Sequence, residues 1–557
     1  MPSLRRSARR LLALALAGLA AGVSAQPGAC ERGAAEAYID DGDVRAMVRT
    51  DGMLFGDGIR PGYEVPKGSD VTAVHAASLW IGGLVGEDLR MAAHLYGGGG
   101  TEYWPGPLGP AGAAPSAWDC VAYDRIWSVT LADVAAYNAT GVATPDLADW
   151  PAHLGAPVVD GDGDPTTYDL AAGDRPAVTG TQTLWWIMND LGGPHVWSGK
   201  PGLGVEVRVT ASVTSEAYAA SRVDAEVARV YADATHFLFD VTYRGEDPVS
   251  DLYVGLHADT DLGASYDDYI GTAPDARLAY VYNGDDEDEG ARGYGVDPPA
   301  LGFAVGPPPE GAETYLTAIY KNGPPELKQP NSLYEDAGVA TYNLLQGRLR
   351  DGSPWTEGGY GVGGEEPTRA TLSGLPPNYW SLHDLDGVGT AAIPDDRMLM
   401  VSQGPHALTT GETVTLELVV PWAPGGGGAI AAARDLALRV APIAAGLPLS
   451  PDPNLATIRP GSLPTNEVSR FSPPSLSVRA LPNPMPGGGS LLVRLDRPAG
   501  LVRLRVVDAL GREVQRVERA PEGAEVTVAL GRLAAGVYVA EVDADGRRAT
   551  ETFSVVR

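Results

Sequence analysis

From Asp160 the chain reads Asp160-Gly161-Asp162-Gly163-Asp164-Pro165, then Tyr168-Asp169 and Gly173-Asp174, with Trp185-Trp186 shortly after. Three carboxylates on alternate residues repel one another. A loop that gathers them needs either open solvent or a hard cation bridging their oxygens, and calcium suits a flexible, all-oxygen set. An EF-hand would place Gly at the sixth position and Glu at the twelfth, where this chain has Pro165 and Ala171. The loop is therefore not an EF-hand; the expectation is a calcium loop of another kind, with Asp160, Asp162 and Asp164 as candidate ligands and Asp169 or Asp174 as a candidate closing ligand. The competing account is a solvated Asp/Gly turn, since both residue types form turns readily.

A second, weaker constellation follows in Asp259, Asp261, Asp267 and Asp268. It is either another cation site or a loop whose aspartates cap backbone amides. By contrast, Asp285 to Glu289 is an unbroken charge run with no glycine spacing, and it is expected to be a solvated loop. The eight histidines include no His-Glu-x-x-His and no pair at helical metal spacing, and the chain has no Gly-x-Ser-x-Gly. His94, His195 and His257 are therefore expected to be structural or solvent-facing rather than ligands. No phosphate loop or dinucleotide fingerprint is present, so the weight falls against an enzyme. Two carboxylates set apart in space suffice for a glycosidase, and linear spacing is silent on that. Trp80, Trp104, Trp185, Trp186 and Trp197 raise a further possibility, sugar stacking, although residues 185 and 186 of one strand must point to opposite faces.

The elements around these residues are short strands. Thr183 to Met188, Val205 to Val213, His236 to Tyr243, Leu252 to Leu256 and Thr413 to Val420 are apolar or alternating runs at sandwich spacing. Thr130-Leu131-Ala132-Asp133 has the form of a capping box and predicts one short helix. Alanine content predicts another over Ala429 to Val440. With 71 Gly and 46 Pro scattered through 557 residues, the fold expected is mostly β: a large antiparallel β-sandwich region with a few short helices, followed by an Ig-like β-sandwich. The expected divisions are 1–25, 26–447 (with room for two sub-domains), a Pro-rich linker at 448–473, and 474–557.

Residues 1–25 have arginines, an apolar run and Val23-Ser24-Ala25, the form of a signal peptide. No later run approaches the about eighteen apolar residues of a membrane span, so no transmembrane segment is expected in the mature chain. Export places the two cysteines, Cys30 and Cys120, where a disulfide persists, and they are expected to pair. The 71 acidic and 41 basic side chains give a formal charge of -30, which repels nucleic acid and anionic lipid.

The C-terminal residues carry Leu481-Pro482-Asn483-Pro484, then Asp508-Ala509-Leu510-Gly511-Arg512, then Gly536-Val537-Tyr538. Three such marks in this order resemble the type A C-terminal sorting domain of the type IX secretion system of Bacteroidetes and related Gram-negative bacteria. The Asn-Pro pair would stiffen a turn, Gly511 would allow a positive φ, and Tyr538 would anchor the penultimate strand. The resemblance implies the type IX machinery as partner, passage across the outer membrane, and release or attachment to surface lipopolysaccharide. The large region resembles long surface proteins that carry the same domain, and the Asp160 loop resembles the calcium loops of thrombospondin type 3 repeats. The expectation is a non-catalytic secreted or surface protein of adhesive or structural role. Its partners would be lipopolysaccharide, polysaccharide or other surface proteins. The rival is a polysaccharide-binding protein or glycan-active enzyme.

Overall fold

In the computed structural model the described residues are 30–444, apart from 96–100, 110–111, 165–166, 322–326 and 329–335, and 476–556, apart from 482–484, 487–489, 496–500, 509–511, 521–524, 532 and 545–546. They belong to two compact units, Met1–Ser462 and Leu463–Arg557. The expected leader at 1–25 and the Pro-rich stretch at 448–473 lie outside the described residues.

The first unit is built on two antiparallel sheets of ten and nine described strands. In the first, Glu313–Tyr320, Arg397–Leu408, Val249–Asp259 and Ala76–Val85 lie side by side. In the second, the order runs Asp268–Ala273, Leu278–Asn283, Ala300–Val305, Thr413–Ala423, Ala234–Tyr243, Val205–Val213 and Gln182–Asn189. The runs that alternate in sequence become these strands because the alternate side chains meet in one core. Leu79, Ile81, Val254 and Leu256 come from the first sheet and Val207, Val209, Phe237 and Phe239 from the second. Each such side chain, fully buried, contributes about 1.5–3 kcal/mol.

Gln182–Asn189 is buried along its whole length because a smaller core covers its other face. Trp186 belongs to the main core, while Trp185 joins Trp127, Trp150 and Ile187 in the smaller one. The expected helix closes over that side as Leu131–Thr140. Thr130 Oγ1 accepts from Asp133 N–H (3.1 Å), Asp133 Oδ2 accepts from Thr130 N–H (2.9 Å), and Gly141 ends the helix at φ 72°. The second expected helix, Ala429–Ala444, buries Ala429, Ala432, Ala433, Leu436 and Val440, the i, i+3, i+4, i+7 stripe of an amphipathic helix. Cys30 and Cys120 are joined in a disulfide, with Cα atoms 5.7 Å apart across 90 residues.

The second unit has a sheet of three described strands and one of five. Their shared core includes Leu491, Val493, Leu504, Val506, Tyr538 and Phe553. Val502–Asp508 and Glu513–Arg519 pair antiparallel, with Asp508 ending the first strand and Arg512 just before the second. Gly536 opens the strand Gly536–Ala544. Within it Tyr538 is buried, its ring 5.7 Å from that of Phe553 and its hydroxyl donating to Ala534 O at 2.8 Å. Pro482, Asn483, Pro484 and Gly511 lie outside the described residues.

Candidate metal centre

The Asp160 loop is the connection of a small hairpin. Val158–Val159 pairs with Arg175–Pro176, Val159 opposite Arg175, so Asp160 and Asp174 face each other across its neck. The approach is close enough to require glycine: a Cβ on Gly161 would lie 2.3 Å from the Gly173 carbonyl carbon, and Gly173 itself sits at φ 118°. Asp174 is buried, and its two oxygens accept from Gly161 N–H (2.9 Å) and Asp169 N–H (2.7 Å). Asp160 Oδ1 accepts from the N–H groups of Asp162 (3.0 Å) and Gly163 (2.7 Å), and Asp162 Oδ1 from Asp164 N–H (2.8 Å). Tyr168 ties the loop to the fold by donating to Leu147 O at 2.7 Å.

This geometry brings one carboxylate oxygen each of Asp160, Asp162 and Asp174 within 4.8 Å of one another. Oxygens sharing one calcium at about 2.4 Å can be no farther apart than about 4.8 Å. Of the five expected ligands, Asp164 and Asp169 stand outside that trio. Asp169 acts through its backbone, and its Oδ1 accepts from Ala171 N–H (2.8 Å). Arg175, next to Asp174, directs its guanidinium to Asn138 Oδ1 and to the carbonyls of Leu170 and Asp174.

The second constellation is regrouped. Asp259 and Asp261 meet Asp396, from a distant segment, with oxygens again within 4.8 Å. Asp267 and Asp268 are not members of that trio. In the charge run Asp285 to Glu289 four of the five carboxylates are exposed, as expected of a solvated loop, and Asp288 is the exception. Asp288 is buried, its oxygens accepting from Ala264 N–H (3.2 Å) and Tyr294 N–H (2.7 Å). Asp286 Oδ1 accepts from Ala429 N–H (3.0 Å) at the start of a helix. Each of these two carboxylates answers a backbone donor that the local sequence does not reveal.

One polar cluster has no signature in the sequence. Glu102, fully buried, accepts from Ala93 N–H (3.3 Å), Trp197 N–H (2.8 Å), Ser198 N–H (3.2 Å), Ser198 Oγ (2.8 Å) and His195 Nδ1 (2.8 Å). His195 Nε2 faces Asp190 O at 2.7 Å. Ser198, His195 and Glu102 are the residue types of a nucleophilic triad, but Ser198 bonds to the acid and both imidazole nitrogens are committed elsewhere. For both nitrogens to donate to these acceptors the ring must carry both protons, as an imidazolium. Burial opposes that charge, yet Glu102 beside it holds the His195 ring above its ordinary value. His257, in contrast, is stacked on Trp80 (4.8 Å, 2°) and pushed down to about 3 by burial. His94 is buried beside Tyr103. Trp80, Trp104, Trp185 and Trp186 are all buried.

No family model matches the chain, and no curated protein matches it. Among solved structures, it is similar to a polysaccharide lyase at 13% identity and a TM-score of 0.18, over 63% of this chain and 34% of the lyase. It is also similar to the BSP domain of a biofilm-associated protein at 11% identity and a TM-score of 0.13, over 67% of this chain and 60% of that one. The chain thus spans about a third and about three fifths of these two proteins. Likenesses this remote carry no inference about its fold or role.

Proposed function

We propose that this is a secreted β-sandwich protein of adhesive or structural role at a bacterial surface, braced by calcium in the Asp160 loop and delivered by its C-terminal unit through type IX secretion. The observation that carries the calcium reading is the trio Asp160, Asp162 and Asp174 gathered at the neck of one hairpin. Backbone N–H groups bond these carboxylates without neutralising them, and a bound cation removes the repulsion. The order of the sorting motifs supports the delivery route. The glycan-binding alternative draws little from the tryptophans, because four of the five singled out are buried in the cores.

Calorimetric titration of the full chain with calcium tests the site. Uptake is expected, with a rise in Tm that Asp160→Asn together with Asp162→Asn reduces. An unchanged calcium response in that variant would remove the calcium reading. Deleting residues 474–557 is expected to keep the protein from appearing outside the outer membrane; undiminished export would remove the delivery route. Incubation with a panel of polysaccharides, following protein depletion and reducing ends together, separates the roles. Adhesive or structural function predicts neither signal, depletion alone would favour a glycan-binding protein, and release would make it an enzyme.

A further inference from the structure

The strand Val249–Asp259 belongs to the first sheet, and the next strand, Asp268–Ala273, to the second. The chain changes sheets through residues 260–267. At that crossing Asp259 pairs with Met398 in register, which brings in the segment just before Arg397–Leu408 and with it Asp395 and Asp396. Three backbone bonds fix the junction: His75 N–H to Asp259 O (2.9 Å), Thr260 N–H to Arg397 O (3.4 Å) and Asp395 N–H to Asp268 O (3.2 Å).

Three carboxylates converge there, Asp259, Asp261 and Asp396, with oxygens within 4.8 Å of one another and Asp259 buried. A second feature of the junction calls for a ligand independently of that convergence. Asp268 is 0% exposed and stands between the two acid-bearing segments, its carbonyl bonded to Asp395 N–H and its Oδ2 accepting from Leu262 N–H at 3.1 Å. Its Oδ1 is buried with no hydrogen-bond partner among the described residues. A buried carboxyl oxygen without a donor is costly, and it persists where something else answers it.

Charge balance indicates what that is. Lys321 Nζ pairs with Asp396 Oδ2, and His75 Nδ1 stands 3.5 Å from Asp261 Oδ2. One ammonium offsets one of the trio's three negative charges and leaves two, with the buried Asp268 carboxyl beside them. A divalent cation with all-oxygen coordination answers that excess, and calcium tolerates the irregular geometry of a strand crossing better than magnesium, which demands near-octahedral ligands.

We propose that Asp259, Asp261 and Asp396, backed by Asp268, form a second calcium site that clamps the crossing between the two sheets. It shares no residue with the Asp160 loop and stands or falls separately from it. The ion would join a sheet-changing loop to a segment more than a hundred residues further along, so its effect is on the packing of the two sheets rather than on one hairpin.

The test is the number of calcium ions bound by the full chain, measured by equilibrium dialysis and calorimetry. The wild-type protein is expected to bind two ions, and Asp261→Asn with Asp396→Asn to bind one. Asp160→Asn with Asp162→Asn is expected to keep the crossing site, so loss of an ion in the first variant but not in this one would sink the loop reading and leave the clamp. Unchanged stoichiometry and affinity in Asp261→Asn/Asp396→Asn would overturn the clamp. Should that variant fail to fold, amide exchange on the wild-type chain decides. Calcium is expected to slow exchange at Leu262 and Asp395 at least tenfold, and exchange indifferent to calcium at both amides would overturn the proposal.

Discussion

Raising the pH from about 6 to about 9 spans the range in which a histidine surrenders its proton, and at His195 the structure sets what that surrender does. Nδ1 lies 2.8 Å from Glu102 Oε2 and Nε2 2.7 Å from Asp190 O. Neutral imidazole has one N–H, so deprotonation sets a lone pair against an acceptor on one side and leaves Glu102 buried without its cation. The other ionisable group near the ring is Asp190, held above the ordinary carboxylate range by burial although it accepts from the N–H groups of Leu203, Gly204 and Val205, and no described base among its bonded partners relieves the loss. The imidazole is 3% exposed, so solvent screens little. Breaking a buried ion pair by removing one partner costs about 3–5 kcal/mol, and the four other donors to Glu102 place the figure here near the lower end, about 3 kcal/mol.

The sign follows from linkage. The native ring holds its proton above the ordinary value of 6.5, so this share of stability is complete below that value and is lost as pH rises through the native one. The slope is at most about 1.4 kcal/mol per pH unit for one proton. All eleven tryptophans lie between residues 80 and 422, so their fluorescence in urea titrations follows the first unit alone. His195→Gln is expected to be less stable by about 3 kcal/mol at about pH 6, with the gap to wild type narrowing as pH climbs. Titrations common to both proteins largely cancel in the difference. Parallel stability curves for the two proteins from about pH 6 to about pH 9 would refute the imidazolium argument, as would a His195 ring resonance that titrates below 6.5.

His257 works in the opposite direction. Burial pushes it down to about 3, so its contribution is complete above the ordinary 6.5 and is lost as pH falls toward the native value. His257→Phe, stacked in its place on Trp80, is expected to match wild type at neutral pH and to be less acid-labile; an unchanged acid limb in urea titrations would count against this. Gly161→Ala places a Cβ 2.3 Å from the Gly173 backbone and is expected to weaken calcium uptake at least tenfold by calorimetry without changing far-UV circular dichroism. Reducing the Cys30–Cys120 bond opens a 90-residue separation and is expected to lower stability by about 4 kcal/mol in urea titrations; a midpoint unmoved by reductant would show that the denatured chain gains no freedom from the opening.

Signals that act within a few residues are legible in the amino-acid sequence alone. The Thr130 capping box, the stripe of Ala429–Ala444 and the opposite placement of Trp185 and Trp186 each follow from local geometry, and each stands in the fold. Partnerships across the chain are not legible in this way. Asp174 belongs with Asp160 because a hairpin pairs residues 159 and 175, whereas Asp164, nearer in sequence, stands outside the trio. Asp396 reaches Asp259 only through the register of two long strands, and Glu102 reaches His195 across 93 residues. The run Asp285 to Glu289 is exposed apart from Asp288, so charge density alone does not tell which of its members the fold takes in. A carboxylate's fate depends on which donors or cations the fold brings to it, and at Asp286 and Asp288 these are backbone amides of distant segments. Where amides are the partners, an acidic cluster is structural. Where the fold instead gathers carboxylates beside buried oxygens that meet no donor among the described residues, Asp268 Oδ1 among them, the proposed clamp takes its ground.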